Sequence, residues 1–311
     1  MAKITVVGSI AFDAVETHAG KRDKMLGGAA THFSLASSFF ADTKPVGPVG
    51  DDFTDAEYAI FTGRGVDTSA IQHVEGGKTF FWAGRYHRDV NQRDTLQTDL
   101  NVFETFSPEL DESAAAAEVV FLANIQPGLQ ANVRRQCTSP RFTALDSMNL
   151  WIDIARDELV EAIGLVDCLV LNDAEVEQLT DEPNLVRAAR KVMELGPKIV
   201  VAKQGEYGAT LFTEDAVFSL PAFPIADVVD PTGAGDSFAG GFIGYIAAHG
   251  GEVTTDVLRT ALAYGTAMGS FNVEGFGTER VAALQPGEIS ERVSALQAMT
   301  AFEPGSPTLR G

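Results

Sequence analysis

Between residues 119 and 203 the chain repeats one unit, a short and continuously apolar run followed by a helical pattern. Runs that are apolar at every position are typical of strands that helices cover on both faces. The repeat therefore predicts the α/β fold class, with a doubly wound, mostly parallel sheet flanked by helices. The four runs are Val119–Ala123, Phe142–Asp146, Cys168–Asn172 and Ile199–Lys203, and the helices are expected near residues 129–137, 155–164, 174–180 and 185–195.

The rest of the chain is expected to complete the same domain. Residues 11–26 and 78–100 are polar or weakly patterned around one aromatic strand, so they are predicted to form a small β-sheet lid. We interpret residues 1–302 as one domain and expect the tail, residues 303–311, to be disordered. Further strands are predicted at Ile4–Val7 and Pro45–Gly50, and closing helices near residues 236–249, 254–271 and 288–300.

Composition excludes several classes of protein. The 311-residue chain has a formal net charge of −20, which argues against nucleic-acid and anionic-membrane binding. No apolar run reaches the ~18 residues of a membrane helix, and the N-terminus reads as a strand rather than a signal peptide. Cys137 and Cys168 have neither disulfide-framework nor metal-ligand spacing. We expect a cytoplasmic protein; the acidic composition fits a halophilic source and an ordinary acidic bacterial enzyme equally.

The segment from Asp230 to Phe238 carries the strongest functional signal. It follows an extended run and precedes an apolar helix, and the small residues Gly233, Ala234 and Gly235 leave the backbone of the turn accessible. N–H groups at a helix start, together with the helix dipole, attract an oxyanion or a phosphate. Asp236 stands at the same place, and a carboxylate there can take a proton from a hydroxyl that attacks the anion. The alternative is that Asp236 is only a helix N-cap.

Two more motifs follow predicted strands, whose carboxyl ends meet at one edge of a parallel sheet. Asn172 and Glu175 offer oxygens suited to a Mg²⁺ ion that keeps most of its waters, or would form a capping box at a helix start. Lys203 begins a glycine-rich segment that includes Gly205 and Gly208. The lysine would hold a phosphate as a point charge, or would simply stand beside a β-turn.

All nine residues from Asp230 to Phe238 fit the C-terminal signature of the ribokinase-like carbohydrate kinases, and the chain resembles this family, the PfkB family. The resemblance implies an α/β core with a β-sheet lid over the acceptor, and ATP and Mg²⁺ as cofactors. It implies that Asp236 is the catalytic base and that Gly233, Ala234 and Gly235 form the anion hole. Thr232 is assigned to nucleotide binding. Asp230 is assigned to a monovalent cation, such as K⁺, that family members often bind beside this loop.

The motifs at the other strand ends resemble family motifs as well. Asn172 and Glu175 fit the family's Asn-x-x-Glu, with Glu175 expected to reach Mg²⁺ through water. Lys203, Gly205 and Gly208 fit its Thr-x-Gly-x-x-Gly nucleotide loop, in which Lys203 replaces the more usual Thr.

The resemblance also assigns candidate contacts to the phosphate acceptor. Asp13 fits the family Asp that binds acceptor hydroxyls, and Gly27 and Gly28 fit the di-glycine that lets the acceptor approach the backbone. His32 stands where the family commonly has Asn, so the acceptor of ribose- or fructose-type members cannot be transferred; a core histidine is the alternative. Two more residues are candidate acceptor contacts. Asn149 stands at another strand end, where a simple turn is the alternative, and Arg85 stands in the lid, where a solvated loop is the alternative.

These inferences predict an ATP-dependent kinase that phosphorylates a hydroxyl of a sugar or polyol. A nucleoside kinase of the same fold is the alternative, and it would need an aromatic side chain to stack a base, with Phe12, Phe33 and Trp82 as candidates. A ligand sensor without turnover is the alternative from another class, against which the intact Asp236 motif argues. A homodimer through the lid is the one protein partner that we consider.

Overall fold

The computed structural model describes residues 3–303 and confirms the predicted fold class. In chain order its strands are β1 (Lys3–Val7), β2 (Ala11–Thr17), β3 (Gly20–Gly27), β4 (Asp42–Val49), β5 (Ile71–His73), β6 (Phe80–Tyr86), β7 (Arg93–Asp99), β8 (Val119–Leu122), β9 (Phe142–Asp146), β10 (Cys168–Asn172), β11 (Ile199–Lys203), β12 (Ala209–Phe212) and β13 (Val217–Leu220). Its helices are α1 (Ala29–Ser37), α2 (Asp55–Thr62), α3 (Glu112–Ala115), α4 (Pro127–Gln136), α5 (Asn149–Ile154), α6 (Arg156–Ile163), α7 (Asp173–Thr180), α8 (Leu185–Met193), α9 (Ala234–Ala248), α10 (Thr255–Asn272), α11 (Glu279–Ala283) and α12 (Pro286–Thr300).

Within the described residues the main sheet has nine strands in the order β13-β12-β11-β10-β9-β8-β1-β4-β5. The pairs from β11 to β5 are parallel, and only β12 and β13 join in antiparallel fashion at one end. The order reverses beside β1, which pairs with both β4 and β8. Ligands of open α/β sheets bind at such a reversal, outside the carboxyl ends of the strands.

Helices cover both faces of this sheet, which is why its central strands are apolar throughout. Val119 and Phe121 of β8 lie in the core layer under α1, α9 and α10, whereas Val120 and Leu122 lie in the layer under α4, α6, α7 and α8. Close approach within the first layer depends on glycine: a Cβ at Gly240 of α9 would lie 2.6 Å from the carbonyl oxygen of Phe33 in α1.

The lid is a separate four-stranded sheet with the order β3-β2-β6-β7, in close agreement with the predicted residues 11–26 and 78–100. Its edge strand β7 is exposed along its whole length. Two hydrogen bonds fasten the lid to the loop before α9. Thr17 donates through its hydroxyl to the Val229 carbonyl at 2.8 Å, and Thr232 donates to the Tyr86 phenolic oxygen at 3.1 Å.

Three further predictions concern the cysteines, membrane-spanning helices and the C-terminal tail. Cys137 and Cys168 are buried and free. Among residues 3–303 no helix is both long and apolar enough to cross a membrane. The predicted tail lies outside the described residues apart from Glu303, which is exposed and in no regular element.

Candidate active site

The first turn of α9 forms the candidate anion hole. Gly233 caps the helix with φ of 76°, a left-handed conformation that favours glycine, and the first helical residue is Ala234. Over residues 3–303 the N–H groups of Gly233 and Gly235 have no protein acceptor, whereas the Ala234 N–H donates to the Pro231 carbonyl at 3.2 Å. The predicted role of Ala234 as an anion-hole donor is therefore corrected, because the turn already uses its N–H group.

Asp236 is the third residue of α9 and makes no capping bond, so the N-cap alternative is wrong. Burial and then the nearby charge of Asp146 raise the pKa of Asp236 to about 7, against the opposing charges of Lys203 and Arg93. A carboxylate with a pKa near neutrality combines a usable fraction of the ionised form with enough basicity to accept a proton. The structure thus provides a candidate base beside unpaired backbone N–H groups.

Lys203 lies beside the anion hole rather than in a surface turn. Its ammonium group forms an ion pair with Asp146 at 3.2 Å, and a Cβ placed on Gly235 would lie only 3.1 Å from Nζ. Burial alone would lower the pKa of Lys203, but the charges of Asp146, Glu175 and Asp236 raise it, so the lysine stays protonated. This places a fixed positive charge next to the helix start.

Asp146 is a site residue that the sequence reasoning missed. It is the last residue of β9, it is 5% exposed, and burial raises the pKa of its carboxyl. The available signal was an acidic residue that ends an apolar strand next to β10. Asn149, the candidate predicted from the same segment, is instead exposed at the start of α5.

Asn172 and Glu175 form the capping box that was considered as their alternative role. The Asn172 N–H donates to Glu175 Oε2 at 2.9 Å, and the Glu175 N–H donates to Asn172 Oδ1 at 2.8 Å. Burial raises the pKa of Glu175 to about 7, which Lys203 opposes and Asp146 reinforces. Only Oε2 accepts a bond from the described residues, so Oε1 remains for a cation or a water.

The acceptor side of the site is built around Asp13, which is 5% exposed. A Cβ on Gly27 would lie 2.0 Å from an Asp13 carboxylate oxygen, and Gly28 has φ of 96° with the Ser9 carbonyl 2.5 Å from its virtual Cβ. Both glycines are therefore required for this close packing. Burial, followed by the charges of Asp230 and Asp236, raises the pKa of Asp13 to about 7, so these carboxylates share one electrostatic environment.

His32 does not line an open acceptor pocket, in contrast to its predicted role. It is 2% exposed, its Nδ1 lies 3.1 Å from Asn272 Oδ1, and burial lowers its pKa to about 4. Asn272 was not among the predicted site residues; it also accepts a bond from the Ser237 hydroxyl at 2.9 Å and donates to the Thr232 carbonyl at 2.7 Å. His32 thus belongs to a buried network behind the anion hole.

Asp230 fixes the loop that leads into α9. Its two carboxylate oxygens accept the N–H groups of Thr232 and Gly277, each at 2.9 Å, and its side chain is fully buried. Both carboxylate oxygens of Asp230 are thus already hydrogen-bonded, so Asp230 is not suited to bind a monovalent cation directly. The ligands of such a cation would have to be the carbonyl groups of the loop.

The predicted nucleotide loop is a tight turn after β11. Gly205 has φ of 55°, and Gly208 has φ of 106° with the Leu220 carbonyl oxygen 2.0 Å from its virtual Cβ, so a side chain at Gly208 is excluded. The Gln204 N–H donates to the Gly208 carbonyl at 2.7 Å and closes the turn. Its start at Lys203 places this loop at the same sheet edge as the anion hole.

Three predicted acceptor contacts are not brought to the site. Arg85 lies on the lid face opposite to Tyr86 and pairs with Glu16 at 3.1 Å. Phe12 and Phe33 are buried in the core, where Phe33 stacks on Phe121. Of the aromatic candidates for base stacking, only Trp82 remains, half-buried in the lid sheet opposite Asp13.

Comparisons with known proteins identify the family of this chain. Residues 1–283 match the sequence profile of the pfkB family carbohydrate kinases. The cytidine kinase of Thermococcus kodakarensis is 28% identical over 249 residues, covering 78% of this chain and 88% of the relative. The ATP-dependent ribose-1-phosphate kinase of Halopiger xanaduensis is 31% identical over 229 residues, covering 70% of this chain and 72% of the relative.

A solved structure supports the fold over nearly the whole chain. The nucleoside kinase of Burkholderia thailandensis, in complex with inosine, superposes with a TM-score of 0.77 at 19% identity, covering 95% of this chain and 99% of that one. The match to the family profile extends from the first strand through the anion hole to α11. This chain therefore belongs to the pfkB family of carbohydrate kinases, phosphotransferases that act on an alcohol group.

Proposed function

We propose that this chain transfers the γ-phosphoryl group of ATP to a hydroxyl of a small sugar-like acceptor, with Asp236 as the general base. The single observation that carries the proposal is the position of Asp236. Its carboxyl, with a pKa of about 7, stands in the first turn of α9, beside the N–H groups of Gly233 and Gly235, which have no acceptor among residues 3–303. Catalysis of phosphoryl transfer rests on positioning and on stabilising charge, and this arrangement supplies both.

In the proposed reaction the acceptor oxygen forms a bond to the γ-phosphorus while the bond from that phosphorus to the β,γ-bridging oxygen breaks. The hydroxyl proton passes to Asp236, and ADP leaves with the bridging oxygen. Lys203 is held beside Gly235 by Asp146 and would offset the charge of the phosphoryl oxygens. The lid, fastened at Thr232, would exclude water from the reacting groups.

Mg²⁺ fits the donor set through few direct protein ligands. Over residues 3–303 no cluster of three or more acidic, His or Cys side chains could hold a metal alone. Mg²⁺ in kinases keeps waters and takes substrate phosphates, so Glu175 with one uncommitted oxygen is sufficient on the protein side. When bound, Mg²⁺ would neutralise phosphate charge. For K⁺ we propose only the carbonyl groups of the Asp230 loop as ligands.

For the acceptor, we propose a molecule that contains a pentose. The relatives described above are named for cytidine and ribose 1-phosphate, and the structural neighbour holds inosine, so all three molecules share a ribose unit. Asp13 supports this choice because a buried carboxyl flanked by Gly27 and Gly28 can receive vicinal hydroxyls close to the backbone. Within this class the two candidates are a pentose or its phosphate and a nucleoside, and the nucleoside is supported by Trp82 in the same part of the lid as Asp13.

The test is an acceptor panel of cytidine, inosine, ribose, ribose 1-phosphate, fructose and myo-inositol. Purified protein with Mg²⁺ and ATP is assayed for ADP release, and each product is checked by mass spectrometry for one added phosphoryl group. Asp236→Asn is expected to reduce kcat by about 10²–10⁴-fold with little change in ATP affinity. Asp215→Asn is the matched control, since Asp215 is exposed in the β12–β13 turn.

Two results would contradict the proposal. If Asp236→Asn turns over at the rate of the unmodified chain, Asp236 is not the general base. Ligand binding without ADP release for every acceptor would favour the alternative from another class, a sensor that kept the fold.

We also propose a homodimer through the lid, because β7 is an exposed edge strand with unpaired backbone groups. Sedimentation equilibrium of the chain and of a β7 variant, Leu96→Lys, tests it: the variant should shift toward monomer. The cytoplasmic location stays a prediction.

A further inference from the structure

One face of the lid is turned toward the anion-hole loop, and Arg93 projects from this face. β6 and β7 are antiparallel, and their register sets Arg93 opposite Tyr86. Residues directly opposite in such a pair project to the same face of the sheet. The phenolic oxygen of Tyr86 lies 3.1 Å from the Thr232 hydroxyl, so this inner face of the lid meets the loop that leads into Gly233. Arg93 therefore projects toward the candidate site.

Two cations of the same hairpin have an acidic neighbour, and Arg93 has none among residues 3–303. Arg85 pairs with Glu16, and His87 lies 3.1 Å from Asp94. In the part of the chain that the structure describes, Arg93 enters no ion pair, and its guanidinium carbon lies 5.8 Å from the centre of the Trp82 ring. A guanidinium that rests on an aromatic face keeps its N–H groups available for an anion.

The positive charge of Arg93 acts on the pKa of two carboxyls on the phosphate side of the site. It opposes the rise in the pKa of both Asp236 and Glu175. Neither carboxyl is on the lid, and Asp236 opens α9 while Glu175 opens α7. Arg93, although exposed, therefore adds positive charge to the phosphate side of the site.

The tip of the lid also touches the nucleotide loop. Asn91 donates through Nδ2 to Glu206 Oε2 at 2.8 Å, and a Cβ on Gly205 would lie 3.0 Å from Asn91 Oδ1. Arg93 follows Asn91 by two residues and stands opposite Tyr86 in the hairpin. The hairpin thus contacts both the nucleotide loop and the anion-hole loop, and Arg93 lies on the strand between its tip and the rest of the lid.

We infer that Arg93 is a further catalytic residue, which contacts the oxygens of the phosphoryl group during its transfer. The inference rests on the proposed function. Lys203 and the α9 N–H groups are on the sheet side of the phosphoryl group, and Arg93 reaches it from the lid side. Negative charge spreads over the phosphoryl oxygens as the bond to ADP breaks and the bond to the acceptor forms, and a planar guanidinium can bind two of these oxygens at once.

The experiment compares Arg93→Gln, Arg93→Lys and a charge-matched control, Lys21→Gln, which removes an exposed lid cation from β3. Each chain is assayed with ATP and the panel acceptor of highest kcat/KM. Arg93→Gln is expected to lower kcat by at least about 10²-fold while KM for ATP and acceptor changes only a few-fold, since arginines in this role contribute ~10³–10⁵ in rate. Arg93→Lys should recover part of the loss, and Lys21→Gln should behave as the unmodified chain.

A binding measurement separates the catalytic role from a structural one. ADP with fluoroaluminate and acceptor mimics the planar phosphoryl group, so the unmodified chain should bind ADP more tightly when fluoroaluminate is present. Arg93→Gln should lose this gain and keep its affinity for ADP alone. A rise only in the KM of ribose 1-phosphate would instead assign Arg93 to the acceptor, and would overturn the inference.

Failure of the inference and failure of the proposed function give different results. If the unmodified chain is active and Arg93→Gln keeps its kcat, the role of Arg93 is overturned and the proposed function stands. If the unmodified chain phosphorylates no member of the panel, the proposed function falls and the role of Arg93 falls with it. If Arg93→Gln and Lys21→Gln lose the same proportion of kcat, the loss reflects the overall charge of the lid. This result would also contradict a direct contact between Arg93 and the phosphoryl group.

Discussion

The imidazole ring of His32 lies flat against the Cα of Gly233, so that a Cβ on this glycine would fall 2.4 Å from three atoms of the ring. Gly233 also has φ of 76°, which side-chain-bearing residues rarely adopt. The histidine comes from α1 and the glycine from the turn before α9. The shape of the anion hole is therefore set by a helix that is distant in sequence.

Gly233→Ala is expected to reduce kcat by at least about 10²-fold, because the new Cβ must displace either the ring or the N–H groups of the turn, and one lost oxyanion donor alone costs about 10²–10³. Gly287→Ala in α12 is the matched control, since no neighbouring atom of residues 3–303 lies within 4 Å of its Cβ position. The control should gain roughly 0.5–1 kcal/mol of stability from helix propensity and keep its activity. An active Gly233→Ala enzyme would contradict the packing described here.

The chemical state of His32 follows from hydrogen-bond accounting. Asn272 donates through Nδ2 to Thr232, so its Oδ1 is an acceptor, and His32 must donate to it from Nδ1. Its Nε2 is then an unprotonated nitrogen, buried and without a partner among residues 3–303. Two-dimensional NMR of ¹⁵N-histidine-labelled protein should report the neutral Nδ1–H tautomer between pH 5 and pH 8. A doubly protonated ring at pH 6 would contradict the pKa of about 4.

The rate should depend on pH through Asp236. Its pKa of about 7 means that the proportion of ionised base, and with it kcat/KM, rises about tenfold per pH unit below pH 7 and levels above it. Initial rates at low substrate concentration between pH 5 and pH 9 give this profile. Asp236→Asn should show a low and nearly flat profile. A midpoint near pH 4, the ordinary range of an aspartate, would show that the burial described here does not act on this group.

Stability should depend on pH in the opposite sense to activity. The folded-state pKa of Asp13, about 7, lies above its ordinary value of 3.8, so the folded chain binds the proton more tightly than the unfolded chain. The free energy of unfolding therefore falls as pH rises from about 4 to 7, and the loss is complete above pH 7. Asp13→Asn should raise Tm by roughly 2 °C or more at pH 8 and should lose this advantage near pH 4.

Calorimetry at both pH values checks this difference, and Asp215→Asn serves as an exposed control. A lower Tm for Asp13→Asn at pH 8 would mean that the carboxylate stabilises the fold. Because Asp13 is also the proposed acceptor contact, the variant should be more stable and less active at once.

Much of the site could be predicted because it depends on local sequence. Asp236 follows a glycine turn and opens a helix, and both features can be read within nine residues. Gly27, Gly28 and Asp13 could be assigned through family resemblance alone, and the structure then supplied their contact. The α/β fold was predictable for the same reason, since strands buried on both faces are apolar at every position.

The remaining site residues depend on contacts between distant segments. Arg85 was selected and Arg93 was not, although the sequence places both in the same polar lid segment. Which of them faces the site is decided by the β6–β7 register, which shifts at a bulge between Ala83 and Gly84, and such a shift changes which residues share a face. Asn272 joins His32 across 240 residues, a pairing for which local sequence holds no signal.

Glu175 offers a way to separate a capping role from a cation role. Gln can replace Glu in a capping box, so Glu175→Gln should keep the bond to the Asn172 N–H and leave Tm unchanged or higher. It should raise the Mg²⁺ concentration needed for half-maximal rate by about tenfold or more, since a carboxylate near the cation is lost. Glu177→Gln, an exposed change on the same helix, is the control. An unchanged Mg²⁺ requirement would leave Glu175 with the capping role only.

Trp82 separates the two acceptor candidates. It is the one aromatic candidate that the core does not bury, and its strand pairs with β2 so that Trp82 stands opposite Asp13. If the acceptor is a nucleoside, Trp82→Ala should raise KM for cytidine and inosine by ~10–100-fold, because stacking on an aromatic side chain contributes about 1–3 kcal/mol per base. KM for ribose should stay within a few-fold, as ribose has no base to stack. Trp82→Phe keeps an aromatic face and should recover most of the nucleoside affinity.

An equal rise in KM for ribose and cytidine would instead indicate that Trp82 shapes the lid. It would do so, for example, by supporting Arg93, whose guanidinium lies over the indole ring.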